Sequence, residues 1–203
     1  MPRVIAGEAG GRRLAVPGGR DTRPTSDRAR EGLFATISSM IGSLAGSRVL
    51  DLYAGSGAVG LEALSRGAAH VLLVESGARA GRVIKANIAA LGLPGAEVIV
   101  DRVERVLARG PGAAGAAAAA PGADGGYDVI FADPPYALDG EEVSAMLTAL
   151  ADRAWLAPGA LVIVERATRS GPVRWPAGYV QDRARRYGEA TFWYGLAAGT
   201  PEQ

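Results

Sequence analysis

Cysteine is absent from this 203-residue sequence, histidine occurs once, and aromatic residues make up only 6% of it. Without a thiol there is no disulfide, no thiolate metal site and no cysteine nucleophile. The single histidine, His70, opens an apolar run, where an imidazole more often serves structure than catalysis, and it is assigned no role. No group of histidines and carboxylates has metal-ligand spacing, so no metal is expected. Long hydrophobic runs are missing too. Nothing approaches the ~18 apolar residues of a membrane-spanning helix, and the opening MPRVIAGEAGG has no apolar core of signal-peptide length. The expectation is a cytoplasmic protein without a membrane partner.

A large excess of either charge is also lacking, since the formal net charge is +1. Its distribution is uneven: residues 1–30 hold seven arginines against Glu8, Asp21 and Asp27. Such a glycine- and arginine-rich arm suits a phosphate-contacting surface, and equally a solvated tail. What is present is otherwise ordinary. With 48% hydrophobic and 21% charged residues, the chain can pack one α/β domain with a small appendage.

In chain order, residues 3–20 alternate short apolar segments around Glu8-Ala9-Gly10-Gly11, which predicts a small hairpin. Residues 1–22 are read as an arm and 23–203 as the main domain. Thr25 or Ser26 caps a helix whose apolar stripe is Ala29, Leu33, Phe34 and Ile37, with Arg28, Arg30 and Glu31 on the polar side. Val49, Leu50 and Leu52 predict a buried strand, and Gly55-Ser56-Gly57 a turn without side-chain bulk. A helix from Ala58 follows and stops at Gly67.

HVLLVES predicts a second strand ending in Glu75, and a helix over 78–91 closes at Gly92. AEVIV is a third strand ending at Asp101, with a short helix over 103–108. Residues 110–126 form a flexible alanine-glycine loop interrupted by Pro111 and Pro121. YDVIFADPPY is a fourth strand breaking at two prolines, followed by a helix from about Gly140 to Trp155. ALVIVE is a fifth strand ending at Glu165, and two strand-like segments flank Tyr187-Gly188. The alternation predicts a doubly wound, mostly parallel seven-stranded sheet with an antiparallel C-terminal strand, whose ligands sit at the strand carboxyl ends.

Those ends carry Asp51 with Gly55 and Gly57, then Glu75, then Asp101, then Asp133-Pro134-Pro135-Tyr136. The string GSGAVG fits the dinucleotide fingerprint, and Glu75 lies 20 residues past Gly55, where an acid accepts hydrogen bonds from ribose hydroxyls. The glycines announce a nucleotide-like cofactor without naming it. Asp101 suits a helix cap as well as a contact to an adenine ring. ADPPY separates the cofactors. A dehydrogenase gives it no task, whereas an enzyme that modifies an exocyclic amine must orient that amine and draw off its hydrogens. Asp133 can accept one N–H, the Pro134 carbonyl the other, and Tyr136 offers a face for stacking the base.

Asp51–Gly57, Glu75 and Asp133–Tyr136 resemble the S-adenosylmethionine-dependent class I methyltransferases of exocyclic amines. RVIAGEAGGRRLAVP followed by TRPTSDRAREGLF is similar to the signature of the bacterial 16S ribosomal RNA guanine-N2 methyltransferases of the RsmD type. VLDLYAGSGAVGLEALSRGA, VESGARA, NIAALGL, FADPPY, VIVER and RRYGEATF extend the resemblance over nearly the whole chain. The 110–126 expansion departs from it.

The resemblance implies a Rossmann-like methyltransferase fold with an N-terminal hairpin and S-adenosylmethionine as cofactor. It implies cofactor contacts from Asp51, Tyr53, Ala54, Gly55, Ser56, Gly57, Glu75, Ser76, Asp101, Arg102 and Asp133. Asp133, Pro134, Pro135 and Tyr136 are implied in catalysis, and Arg3, Arg12, Arg13, Arg23 and Arg28 in RNA binding. The implied partner is 16S RNA in the assembling small subunit, at guanine 966 in the usual numbering, with the enzyme a monomer lacking any obligate protein partner. An adenine-N6 methyltransferase of DNA or RNA, a nicotinamide-dependent oxidoreductase and a non-catalytic assembly factor are the competing readings.

Overall fold

The computed structural model describes residues 2–18, 26–112 and 126–198. Arg23 and Thr25, and with them most of the 110–126 loop, lie outside the described residues. Two compact units divide the chain, residues 1–102 and 103–203. Seven strands occur among the described residues, mostly parallel with one reversed near the C-terminus, in the mixed-sheet α/β class expected. No helix among them is long and apolar enough to cross a membrane.

The first unit contains α1 (Asp27–Ile41), β1 (Arg48–Leu52), α2 (Ala58–Ser65), β2 (His70–Glu75), α3 (Ala78–Leu91) and β3 (Ala96–Val100). Its strands are parallel in the order β3-β2-β1, with Leu50 beside Leu72 and Leu72 beside Glu97. β1 is buried at every position, and so is α2, with Glu62 and Ser65 buried among its apolar residues. Ser26 caps α1, its side chain accepting the Ala29 N–H at 3.2 Å. Gly92, at φ +68°, ends α3 in the left-handed region.

The N-terminal segment turns back on itself, but its ladder is a single bridge between Arg3 and Arg13 rather than two full strands. It lies against its own unit because a set of buried polar side chains holds its backbone. Glu62 is fully buried, and its carboxylate accepts the N–H groups of Ile5 (2.6 Å) and Ala6 (3.1 Å) and the Nε–H of Arg66 (2.7 Å). Ser65 Oγ accepts from Ala9 and donates to the carbonyl of Ala6. Asn87 brackets Ala15 through both its N–H and its carbonyl. Two short segments too small to be stable alone thereby acquire partners for their backbone groups.

Arg30 departs from the expectation. It is 0% exposed rather than on the polar side of α1. Its guanidinium donates to the carbonyls of Arg3 (2.7 Å) and Ala58 (3.4 Å) and to the Asp27 carboxylate (2.5 Å). Position 30 stands three, four and seven residues before Leu33, Phe34 and Ile37, so the helix itself directs it inward. Its hydrogen bonds and Asp27 offset part of the cost of burying the charge, while its Nε–H is buried without a hydrogen bond.

The second unit contains α4 (Val103–Arg109), β4 (Tyr127–Ala132), α5 (Gly140–Asp152), β5 (Leu156–Ala167), β6 (Tyr179–Tyr187) and β7 (Ala190–Ala197). Its strands run in the order β4-β5-β7-β6, with β4 and β5 parallel and β7 antiparallel to both neighbours. α5 stops at Asp152, short of the expected end. β5 starts at Leu156 because that exposed first stretch still pairs with Tyr127, although Pro158 and Gly159 give it no strand-like pattern. The tryptophans are packing residues. Trp155 is fully buried, with its Nε1 on the Leu107 carbonyl, and the Trp175 ring lies over Gly195 and against Tyr179.

Candidate functional site

In the first unit, the carboxyl ends of β1 and β2 build one loop system. Tyr53 has φ +60°, a left-handed conformation that is strained for a tyrosine and turns the chain out of β1. Ala54 then ties the loop to β2 through the Val74 carbonyl at 3.0 Å, and its own carbonyl accepts the Gly57 N–H at 2.7 Å. Gly57, at φ +77°, packs so closely that a Cβ there would stand 2.9 Å from Leu73 Cδ2. Gly55, at φ +58°, has nothing within 4 Å of where a Cβ would be. One glycine is needed for packing and the other leaves open space above the loop.

Glu75 borders that space. One carboxylate oxygen accepts the Gly55 N–H at 2.9 Å and the other accepts the Gly77 N–H at 2.7 Å. Each carboxylate oxygen can accept a second bond, so the group is oriented by its own backbone and retains capacity for a ligand's hydroxyls. Ser76 beside it is exposed. Ser56 is buried, and its carbonyl accepts from Asn87 Nδ2 at 3.0 Å, linking loop and α3. At the end of β3, Asp101 is half-buried, with Oδ1 on the Arg102 N–H at 2.8 Å, and Arg102 is exposed.

Asp51 has a different setting. It is 1% exposed, and its Oδ2 accepts the Gly60 N–H of α2 at 2.9 Å, beneath the loop rather than at its open side. Burial pushes its carboxyl up to about 7 from 3.8, offset in part by the Gly60 bond and reinforced by the charge of Glu75. The folded protein therefore holds this proton more tightly than the unfolded chain, so stability falls as pH rises from about 4 to about 7. Relative to Asp51→Asn, wild type is expected to lose roughly 4 kcal/mol of unfolding free energy over that range. Urea denaturation of both proteins at several pH values measures this, and parallel pH curves would refute it.

The predicted RNA-binding arginines separate into two kinds. Arg12 is turned back onto α3, where its guanidinium donates to the Leu91 carbonyl at 2.9 Å and to the Ala90 carbonyl. It completes the helix C-terminus and anchors the hairpin. Arg3, Arg13 and Arg28 are exposed and border two hollows of about 350 and 560 Å³ between the hairpin and α1. Arg3 also stands 3.9 Å from Asp27.

In the second unit, β4 delivers ADPPY to its carboxyl end. Pro134 is buried, Asp133 half-buried, Pro135 exposed, and Tyr136 58% exposed. Pro135's carbonyl accepts the Leu138 N–H at 2.9 Å, closing the turn. The Leu138 carbonyl accepts in turn from Arg166 Nη1 at 2.8 Å, and Arg166, at the end of β5, is buried. Asp139 caps α5 with a capping box completed by Glu142. The turn is therefore held from both sides. Arg166, Arg30, Glu62, Ser65 and Asn87 are the supporting residues that sequence reasoning missed.

Three comparisons bear on this arrangement. The family described as conserved hypothetical protein 95 matches residues 2–195. Ribosomal RNA small subunit methyltransferase D of Escherichia coli is 34% identical over 190 residues, 94% of this chain and 87% of that protein. The solved structure of yhhF from Escherichia coli superposes with a TM-score of 0.79 at 29% identity, covering 98% of each chain. The fold is also that of magnesium protoporphyrin IX methyltransferase from Synechocystis, solved with bound S-adenosylmethionine (TM-score 0.60, 15% identity, 84% of this chain and 79% of that one).

Proposed function

This chain belongs to the conserved hypothetical protein 95 family, and from that premise we propose that it methylates the exocyclic N2 of a guanine in 16S ribosomal RNA. S-adenosylmethionine is the donor, and by resemblance the target is guanine 966. Residues 1–22 act as the RNA-binding arm and 23–203 as the methyltransferase domain of a cytoplasmic monomer. The observation that carries the reading is the ADPPY turn, in which the buried Pro134 and exposed Pro135 hold out a half-buried acid and a largely exposed tyrosine.

The residues fit the cofactor. Gly55 leaves room for its amino-acid end and Tyr53, Ala54 and Ser56 shape that loop, while Asp51 supports it from below. Glu75 presents oriented acceptors for the ribose, and Ser76, Asp101 and Arg102 flank the adenine. When bound, S-adenosylmethionine supplies a sulfonium-activated methyl group for transfer to the amine.

The guanine amine is a poor nucleophile because its lone pair is delocalised into the ring. Asp133 accepts one of its N–H bonds. With Pro135's carbonyl taken by Leu138, the Pro134 carbonyl accepts the other. Tyr136 stacks on the base, which must leave its own stack to be reached. Rate acceleration comes from positioning and from preorganised acceptors, so Asp133 orients the amine and need not remove a proton before attack. Arg3, Arg13, Arg28 and Arg23 contact RNA phosphates, with Arg12 holding the hairpin in place.

The test uses small-subunit particles from cells lacking this activity, with nucleoside mass spectrometry. N2-methylguanosine is expected in the 16S RNA, whereas N6-methyladenosine in naked DNA would overturn the reading. Calorimetry should show binding of S-adenosylmethionine and none of NAD.

A further inference from the structure

β6 is the outermost strand beside β7, and its last five residues contain Arg183, Arg185 and Arg186. Arg185 and Arg186 are exposed, and a single acid, Asp182, pairs with Arg183. The Nε–H of Arg186 donates to the Gly188 carbonyl at 2.9 Å, which fixes that side chain on the turn joining β6 to β7. Charge on an edge strand commonly serves only to prevent sheet-to-sheet pairing. The register gives one of these arginines a further use.

Ala132 stands beside Val164, Val164 beside Trp193, and Trp193 beside Ala184. One residue further along, Glu165, Phe192 and Arg185 share a row, level with Asp133, the residue after Ala132. Because residues aligned across a sheet point to the same side, Arg185 shares the side of Phe192 and Glu165, where the alternation of β4 continued past Ala132 would put Asp133. Three strand spacings separate the two positions, roughly 14 Å. Arg186, beside Thr191, is in the next row, level with Pro134, and by the alternation of a strand stands on the opposite side of the sheet. Tyr187 completes this end of the strand, with its ring 5.2 Å from that of Phe192.

We infer that the carboxyl half of β6 is a second RNA-binding surface, on which Arg185 holds a backbone phosphate of a nucleotide flanking the base presented to Asp133–Tyr136. The inference rests on the proposed methylation of ribosomal RNA and adds a second point of attachment beyond the N-terminal arm. A phosphate held close to the presented nucleotide limits the orientations that nucleotide can take. Cation-to-phosphate contacts suit exposed arginines because they need no burial and release counterions.

The test compares wild type with Arg185→Ser and with Arg185→Lys, as full chains on small-subunit particles. For the serine variant, the KM for RNA should rise about ten-fold and the slope of log KM against log salt should fall by about 1. Its kcat at saturating RNA and its calorimetric affinity for S-adenosylmethionine should stay near wild type. The lysine variant should recover most of the salt slope. A serine variant with wild-type KM and salt slope overturns the inference while leaving the methylation reading intact. Failure of the wild-type protein to methylate 16S RNA overturns both.

Discussion

Asp133→Ala is expected to lower kcat on small-subunit particles by about a thousand-fold, the cost of removing one preorganised acceptor aimed at the reacting group. Binding of the particle should change little, because the arginines proposed to supply its electrostatic attraction are untouched. Affinity for S-adenosylmethionine should fall by less than about ten-fold, since most of the proposed cofactor contacts are from Glu75 and the Gly55 loop. Asp133→Asn separates orientation from proton removal. The amide keeps one carbonyl oxygen that can accept the amine N–H, so an orienting acceptor leaves it measurably more active than alanine. Single-turnover methylation with saturating cofactor checks both substitutions. An asparagine variant as inactive as alanine would assign Asp133 a role that depends on its charge. An alanine variant with near-normal kcat would remove it from the reaction.

The parts of this site visible in the sequence are those where the backbone has to do something unusual. Gly55 and Gly57 stand where positive φ is needed, the diproline ends a buried strand, and Glu75 ends another, so apolar periodicity followed by a break located all of them. The supporting residues were harder to see because each looks like a surface residue by type. Arg30 and Asn87 nevertheless occupy the apolar stripe of their helices, Arg30 with Leu33, Phe34 and Ile37, Asn87 with Ile84 and Leu91. A polar residue at such a position signals a buried hydrogen-bonding role, and that signal was available. What no periodicity could supply was the partner. Arg12 looked like any arginine in a basic arm, yet its donors are on the α3 carbonyls some 80 residues away in sequence. The long β5 was hidden by Pro158 and Gly159, which fall in the register shift between the Tyr127–Leu156 and Val129–Leu161 pairs.

The strongest effect on stability is expected at Glu62. The carboxylate is fully buried in α2 and is the common acceptor for the N–H groups of Ile5 and Ala6 and for Arg66. Alanine would leave two backbone donors of the arm without partners and remove the counter-charge of Arg66, whose guanidinium also lies 4.7 Å from the Phe34 ring. Breaking a buried, hydrogen-bonded charge in this way costs about 3 to 5 kcal/mol, a large share of a single domain's stability. Glu62→Gln should cost less, because the amide oxygen can still accept one of the three bonds. Urea denaturation measures the loss, and proteolysis under native conditions shows where it falls. Cleavage within the first 18 residues should accelerate in the alanine variant before the rest of the chain becomes susceptible. The arm carries the arginines proposed to hold RNA, so the KM for particles should rise with its detachment while affinity for S-adenosylmethionine stays near wild type. Equal loss of both affinities would mean that Glu62 supports the whole first unit and not the arm in particular.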